Sequence, residues 1–125
     1  MLFRSIIASE ANDAAEVVDT TQAEPQAAAA AAGLQIGQID AIKTHNPFAV
    51  NDIALSRDTG FAWEKMNNYG SSIIWGHPQA PTGMRAIIEL IEELVLRGGG
   101  VGLFTGCAAG DSGYATIIRV TDSNK

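Results

Sequence analysis

The sequence has 125 residues, of which 46% are apolar and 18% are charged, and its formal net charge is −6. This length and composition allow one globular domain at most, and the lack of any Lys or Arg block argues against nucleic-acid binding, which needs clustered cations. A single cysteine excludes an internal disulfide, the opening residues do not resemble a signal peptide, and no apolar run approaches the roughly 20 residues that span a bilayer, so we expect a cytoplasmic protein.

The N-terminal third predicts a helix behind a poorly defined lead-in. Residues 1–22 give little pattern beyond a short strand near Ile6–Ala8. Glu24–Ala32 is expected to form a helix, because Pro25 suits a first helical turn, alanine is the best helix former and Gly33 is a natural stop. An alanine run can instead be a flexible linker, but the start and stop signals favour a helix that packs closely on a sheet.

The next segment predicts a strand followed by a second helix. Ala41–Thr44 reads as a strand that ends at His45, and helical spacing predicts a helix over about Phe48–Ser56. Arg57–Gly60 has the composition of a turn. Three large apolar residues then follow, namely Phe61, Trp63 and Met66. Such a cluster more often belongs to a core than to a ligand site.

The strongest helical pattern begins at Pro81 and Thr82 and stops at Gly98–Gly100. Its apolar stripe has the spacing of one helical face and consists of Ile87, Leu90, Ile91, Leu94 and Val95. The opposite, wetter side is expected to carry the charged residues Arg85, Glu89, Glu92 and Glu93.

The C-terminal segment predicts a hairpin. Val101–Thr105 and Tyr114–Val120 read as strands, joined by a glycine-rich loop over Gly106–Gly113 and followed by a polar tail at 121–125. Alternating strands and helices that end in an antiparallel hairpin predict an α/β fold, with a mixed β-sheet and helices packed on it. We expect the whole chain, 1–125, to be one partial domain.

Three residues stand where side chains can converge at one end of a sheet: His45, His77 and Cys107. Gly76 permits backbone angles that other residues resist, and Pro78 fixes its own φ, so the backbone between them is expected to aim the His77 side chain. A cysteine close to a histidine can exist as a thiolate and act as a base, an acid or a nucleophile. A surrounding glycine-rich loop offers backbone N–H groups to a developing oxyanion.

Each of these signals is weak when it is taken alone. A lone cysteine beside alanine is most often a small buried hydrophobe, and a histidine before proline is usually a turn residue. Two histidines and one distant cysteine lack the paired spacing of zinc ligands. Gly98–Gly100 ends a helix instead of opening one, so it does not read as a phosphate loop.

Taken together, the motifs resemble the C-terminal half of the thiolase family. Gly76-His77-Pro78 matches that family's Gly-His-Pro motif, and Cys107-Ala108-Ala109-Gly110 corresponds to its Cys-x-Gly motif. His45-Asn46-Pro47-Phe48 stands where most members have Asn-Glu-Ala-Phe and sterol-carrier-type members have His-Asp-Cys-Phe. The resemblance covers about Glu24 to Val120 and implies a thiolase-fold C-terminal domain.

The resemblance also implies roles for these residues. His77 would be the base that activates a nucleophilic cysteine and would help to bind the thioester oxygen. Cys107 would be the second acid and base, which moves the proton of the α-carbon, and His45 would help to form an oxyanion hole. Loop and oxyanion support would come from Asn46, Ala109 and Gly110.

The implied reaction is thiolytic cleavage of a 3-oxoacyl-CoA or the reverse Claisen condensation, as in fatty-acid metabolism. Acyl-CoA and CoA would be substrates, with no metal or redox cofactor and no nucleic acid. The family habit implies a homo-oligomer, either a dimer or a tetramer. Ala109 and Pro47 depart from the common motifs, which leaves the acyl chain open, including branched and aromatic ones.

The family's nucleophilic cysteine lies in the N-terminal half, and this sequence has only Cys107. We therefore expect a fragment or a split subunit of a thiolase, inactive by itself and completed by an N-terminal half or a partner subunit. The alternative is a non-catalytic scaffold or acyl-CoA-binding subunit of a split complex. An unrelated small α/β domain would require His45, His77 and Cys107 to lie far apart.

Overall fold

A computed structural model describes residues 9–10, 24–107 and 113–121, whose strands form one mixed sheet. The strands lie in the order β1-β4-β3-β2, and their bounds are β1 Ser9–Glu10, β2 Ala41–Thr44, β3 Gly100–Cys107 and β4 Gly113–Val120. β2 runs parallel to β3, whereas β4 is antiparallel to both β3 and β1. The predicted α/β class with a closing antiparallel hairpin is confirmed.

Some of the predicted segments lie outside the described residues. They include the strand near Ile6–Ala8, the lead-in apart from Ser9–Glu10, and the tail apart from Thr121. The hairpin is longer than the sequence predicts, since the ladder pairs Gly106 with Tyr114 and Cys107 with Gly113. Glycine lowers strand propensity, but cross-strand pairing overrides it here, so Cys107 ends a strand instead of lying in a loop.

In the part of the chain that the structure describes, four α-helices accompany the sheet: α1 Glu24–Ala31, α2 Ala49–Thr59, α3 Ser72–Trp75 and α4 Ala80–Leu96. The prediction that α2 ends near Ser56 is wrong, because the helix continues through the expected turn to Thr59. Gly60 stops it, with a left-handed φ of 71° and an N–H that donates to the Ser56 carbonyl. The sequence pattern did not predict α3.

The sheet separates two apolar clusters, because successive residues of a strand point to opposite faces. Buried alanines of α1 and Leu55 of α2 pack on one face, together with Ile42, Leu103 and Ile117. The stripe of α4 packs on the other face against Ala41, Phe104, Ile118 and Val120. The predicted close packing of the alanine helix is therefore confirmed.

Helix α4 follows its predicted stripe with one exception. Leu90 and Leu94 are both 0% exposed, as expected of the centre of the apolar face. Glu93, expected on the wet side, is buried instead. Its Oε1 accepts hydrogen bonds from Asn68 Nδ2 at 3.0 Å and from Arg97 at 2.6 Å, and these donors offset the loss of water.

Trp63 does not join the core that the sequence predicts for it. Phe61 and Met66 are buried, but the Trp63 side chain is 66% exposed, because it lies in a short 3-10 turn, Trp63–Lys65. It belongs to a large apolar surface around α2 and α3, whose exposed members are Phe48, Val50, Ile53, Ile73, Ile74 and Trp75. None of the described helices is long and apolar enough to cross a membrane.

Candidate active site

His45 lies where β2 ends and the chain turns towards α2. Its backbone N–H donates to the Thr105 carbonyl at 2.9 Å, which extends the parallel pairing of β2 with β3 by one residue. Gly106 on β3 allows this close approach, because a Cβ on that residue would lie 2.6 Å from the His45 Cβ. The half-buried imidazole is thus fixed at the carboxyl end of the two parallel strands.

His77 lies in the corner between α3 and α4. Gly76 has a φ of 85° and Gln79 a φ of 57°, both left-handed, so the chain reverses sharply around the exposed histidine. The His77 Nδ1 lies 3.0 Å from the hydroxyl of Thr82, a residue that is 2% exposed in the first turn of α4. In the sequence, Thr82 indicates only a helix start, and no local pattern predicts its contact with His77.

The two histidines meet directly. His45 Nε2 lies 3.0 Å from His77 Nε2 and 3.1 Å from His77 Nδ1, and the ring centroids are 4.1 Å apart. A hydrogen bond between imidazoles needs one nitrogen with a proton and one without. Burial lowers the pKa of His45 below its usual value, and the positive charge that His77 can carry lowers it further. Both effects disfavour the charged form of His45.

Cys107 completes the group of three from the end of β3. Its exposed side chain lines a cavity of about 600 Å³ that His45 and His77 also line. The walls come from the start of α4 and from the hairpin, namely Gln79, Ala80, Thr82, Gly83, Phe104, Gly106 and Tyr114. Residues separated by up to 62 positions in sequence thus share one cavity. The alternative of an unrelated small α/β domain required these three residues to lie far apart, and the structure excludes it.

The support residues fall into two groups. Ala109 and Gly110 lie outside the described residues. Asn46 is 1% exposed, and both ends of its amide are used: Oδ1 accepts from the Ser72 N–H at 3.1 Å, and Nδ2 donates to Asp52 at 2.6 Å. It therefore ties the His45 loop to the start of α3.

Two further cavities flank α2. One, of about 360 Å³, shares His45, Gly106 and Cys107 with the histidine cavity and continues along the apolar side chains of Pro47, Phe48, Val50 and Leu55. The other, of about 670 Å³, lies away from both histidines, against Ile53, Trp63, Met66 and Ile73. Size alone therefore does not identify the site, whereas the convergence of titratable groups does. Within the described ranges, no three His, Cys, Asp or Glu side chains are grouped to hold a metal ion.

Comparison with known proteins identifies the family of this chain. Residues 4–120 match the family described as thiolase, C-terminal domain. The chain belongs to the thiolase family. It is 38% identical over 105 residues to a 3-ketoacyl-CoA thiolase of Colwellia psychrerythraea, with 70% of this chain and 24% of that protein covered. It is 41% identical over 90 residues to an acetyl-CoA acetyltransferase of Syntrophomonas wolfei, with 70% and 23% covered.

Solved thiolase structures share the fold. Human mitochondrial 3-ketoacyl-CoA thiolase in complex with CoA superimposes with a TM-score of 0.75 and 28% identity, over 93% of this chain and 29% of that one. The chain thus spans about a quarter of the length of the thiolases that it matches. The predicted thiolase resemblance and the C-terminal domain fold are confirmed, and the relatives' names place the family among acyl-CoA acyltransferases.

Proposed function

We propose that this chain is the C-terminal part of a thiolase that cleaves 3-oxoacyl-CoA with CoA, or runs the reverse Claisen condensation. The observation that carries the proposal is the shared cavity of His45, His77 and Cys107, with the two imidazoles 3.0 Å apart. Acyl-CoA and CoA are its proposed substrates, in keeping with the CoA-bound human relative. The acyl chain, the direction, a cytoplasmic location and a dimer or tetramer remain predictions.

In the proposed reaction, His77 takes the proton of a nucleophilic cysteine supplied by the rest of the enzyme. The thiolate attacks the 3-oxo carbon, and the imidazole N–H groups of His45 and His77 offer hydrogen bonds to the oxyanion that forms. The bond between the α- and β-carbons then breaks, and Cys107 gives its proton to the α-carbon. CoA thiol finally attacks the thioester and gives its proton to the Cys107 thiolate, and the nucleophilic cysteine leaves and regains its proton from His77.

The apolar surface around α2 supports the part of the proposal that concerns the rest of the enzyme. Exposed apolar patches of this kind mark interaction surfaces, and Phe48, Val50 and Ile53 are between 51% and 69% exposed. The cavity beside His45 and Cys107 opens along this same surface. We therefore place the completing half, or a partner subunit that carries the nucleophile, against α2.

The proposal is tested in the assembled enzyme that contains this chain. His77→Ala and Cys107→Ala are each expected to lower kcat for thiolysis by on the order of 10²–10⁴-fold, since each removes a general acid–base group. Asp58→Asn, on the exposed side of α2, is the control and should leave kcat unchanged. Near-normal thiolysis in either site variant would disprove the roles. Acyl-CoA binding without any turnover in the assembled wild type would favour the non-catalytic scaffold instead.

A further inference from the structure

The carboxylate of Asp52, one turn into α2, lies between the loop that carries His45 and the segment that leads through α3 to His77. Its Oδ1 accepts a hydrogen bond from the Thr44 hydroxyl at 2.6 Å. Its Oδ2 accepts from Asn46 Nδ2 at 2.6 Å and from Asn67 Nδ2 at 3.1 Å. A carboxylate can accept several hydrogen bonds at once, and bonds to a charged acceptor are stronger than neutral ones. Asp52 is therefore the centre of a polar network.

The network holds His45 from both sides along the chain. Thr44 and Asn46 are the residues directly before and after His45, and both donate to the same carboxylate. His45 itself is joined to β3 through its backbone N–H. The His45 backbone therefore has little freedom to move relative to the start of α2 while Asp52 keeps its bonds.

The same network reaches the loop that leads to His77. Asn67 Oδ1 accepts from the Thr44 N–H at 2.8 Å, and the Asn67 N–H donates to the Ile42 carbonyl at 2.8 Å. Asn46 in turn accepts from the N–H of Ser72, the first residue of α3, which ends two residues before His77. One end of the segment 67–72 is thus fixed to β2 and the other to Asn46 beside His45, through side-chain amides that Asp52 orients.

This segment needs such restraint because its backbone is strained. Asn67 and Tyr69 have left-handed φ values of 53° and 69°. Asparagine adopts this region more readily than other non-glycine residues, so the strain lies mainly at Tyr69. A strained segment persists only where its surroundings over-determine its conformation. Breaking the network is expected to let the segment relax and to carry His77 away from His45.

We propose that Asp52 is a positioning residue. Its carboxylate sets the separation of His45 and His77 by holding the chain on both sides of His45 and the segment 67–72 that leads to His77. The proposal rests on the proposed function only for its catalytic consequence, because the separation itself can be measured without turnover. Asp52 touches no reacting atom and acts through Thr44, Asn46 and Asn67.

The separation is measured by NMR on the 125-residue chain. The sequence has two histidines, so the ring protons are simple to assign, and rings 4.1 Å apart give a strong nuclear Overhauser cross-peak. In Asp52→Asn, an amide donor faces the donors of Asn46 and Asn67, and the cross-peak should weaken at least several-fold. Asp58→Asn removes a carboxylate from the same helix and should keep the full cross-peak.

A rescue variant separates positioning from a general loss of structure. Adding Asn46→Asp to Asp52→Asn exchanges donor and acceptor across the 2.6 Å bond between the two side chains. The double variant should recover part of the cross-peak that Asp52→Asn loses. If Asp52→Asn does not fold by circular dichroism, Thr44→Val, which removes one donor, decides the matter. A folded Asp52→Asn or Thr44→Val with a wild-type cross-peak would overturn the proposal.

The catalytic consequence is tested in the assembled enzyme. Asp52→Asn should lower kcat by on the order of 10²-fold with KM nearly unchanged, because misplacing a catalytic group by about 1 Å has an effect of this size. If His77→Ala loses activity while Asp52→Asn keeps both kcat and the cross-peak, the function stands and this inference is wrong. If the cross-peak behaves as expected but the assembled enzyme shows no thiolysis, the positioning stands and the proposed function is wrong.

Discussion

At the ring nitrogens of His45 and His77, the structure brings two basic groups to 3.0 Å. The pKa of His45 is lowered, chiefly by burial and then by the charge of His77. In the unfolded chain both causes disappear, and the pKa returns to about 6.5. Between the lowered value and about 6.5, the unfolded chain therefore binds more protons at this residue than the folded chain does.

This difference predicts how stability depends on pH. The contribution of His45 is fully present above about pH 6.5 and is lost as the pH falls through the lowered pKa of the folded state. Urea unfolding of the chain between pH 7.5 and 5.5 should show a falling free energy of unfolding. His45→Gln should flatten this slope, and an equally steep slope in that variant would contradict the prediction.

Lys43 is a buried charged residue whose contacts cannot be predicted from the local sequence. Lys43 is 1% exposed on the face of β2 that meets α4, and its Nζ lies 3.6 Å from Glu89 Oε2. It also donates to the carbonyls of Asn68 and Gly70 in the strained segment before α3. The pKa of Lys43 lies below its usual value because burial disfavours the charged form, and the nearby Glu89 and Glu93 offset only part of this shift. A lysine in a four-residue strand gives no hint of these long-range contacts.

At the scale of elements, α4 shows where periodicity is a reliable guide. Its stripe has a regular helical spacing, and the structure buries the centre of that stripe against β3 and β4. A Cβ on Gly102 would lie 2.8 Å from Leu90 atoms, so the strand and the helix approach closely at this point. Leu90 is therefore packed closely against β3.

Two leucines of α4 give a matched prediction. Leu90 is 0% exposed and Leu96 is 75% exposed. Leu90→Ala should lower the free energy of unfolding by about 2–5 kcal/mol, because it leaves a cavity in the core. Leu96→Ala should change it by no more than about 0.5 kcal/mol. Urea denaturation of both variants measures the difference, and equal effects would mean that α4 packs differently from the structure.

At the scale of the whole molecule, the face around α2 is the notable feature. Helix α2 buries Leu55 against the sheet, while Val50 and Ile53 point away from it and are 64% and 51% exposed. Apolar residues on both sides of a helix are typical of one that is covered on both sides. This is the position that the proposed function gives to α2, between this domain and the part that completes the enzyme.

A lysine on the exposed face tests this placement. Ile53→Lys should leave the fold of the 125-residue chain intact, since the side chain is half exposed. The same change should prevent assembly with the rest of the enzyme, because a charge would be buried without a partner. Leu96→Lys, on the opposite side of the sheet, is the control. Normal assembly of Ile53→Lys by size-exclusion chromatography would contradict the placement.

The sequence by itself determined the elements that depend on local chemistry. These are the alanine helix, the α4 stripe, the strands β2, β3 and β4, and the family motifs around His45, His77 and Cys107. Proline, glycine and apolar periodicity act over a few residues, so their signals can be read along the chain. The order of the motifs along the chain was also enough to predict that His45, His77 and Cys107 belong to one site.

Only the tertiary structure decided which side chains share an environment. It buried Glu93 and Lys43, exposed Trp63, added Thr82 to His77, and made Asp52 the link between two loops. The polar contacts among these outcomes join residues 4 to 46 positions apart in sequence, from the hydrogen bond of Arg97 to Glu93 to the ion pair of Lys43 with Glu89 on α4. A polar group is buried only where such partners meet its hydrogen bonds. The local sequence pattern around a residue does not predict whether the fold brings such partners next to it.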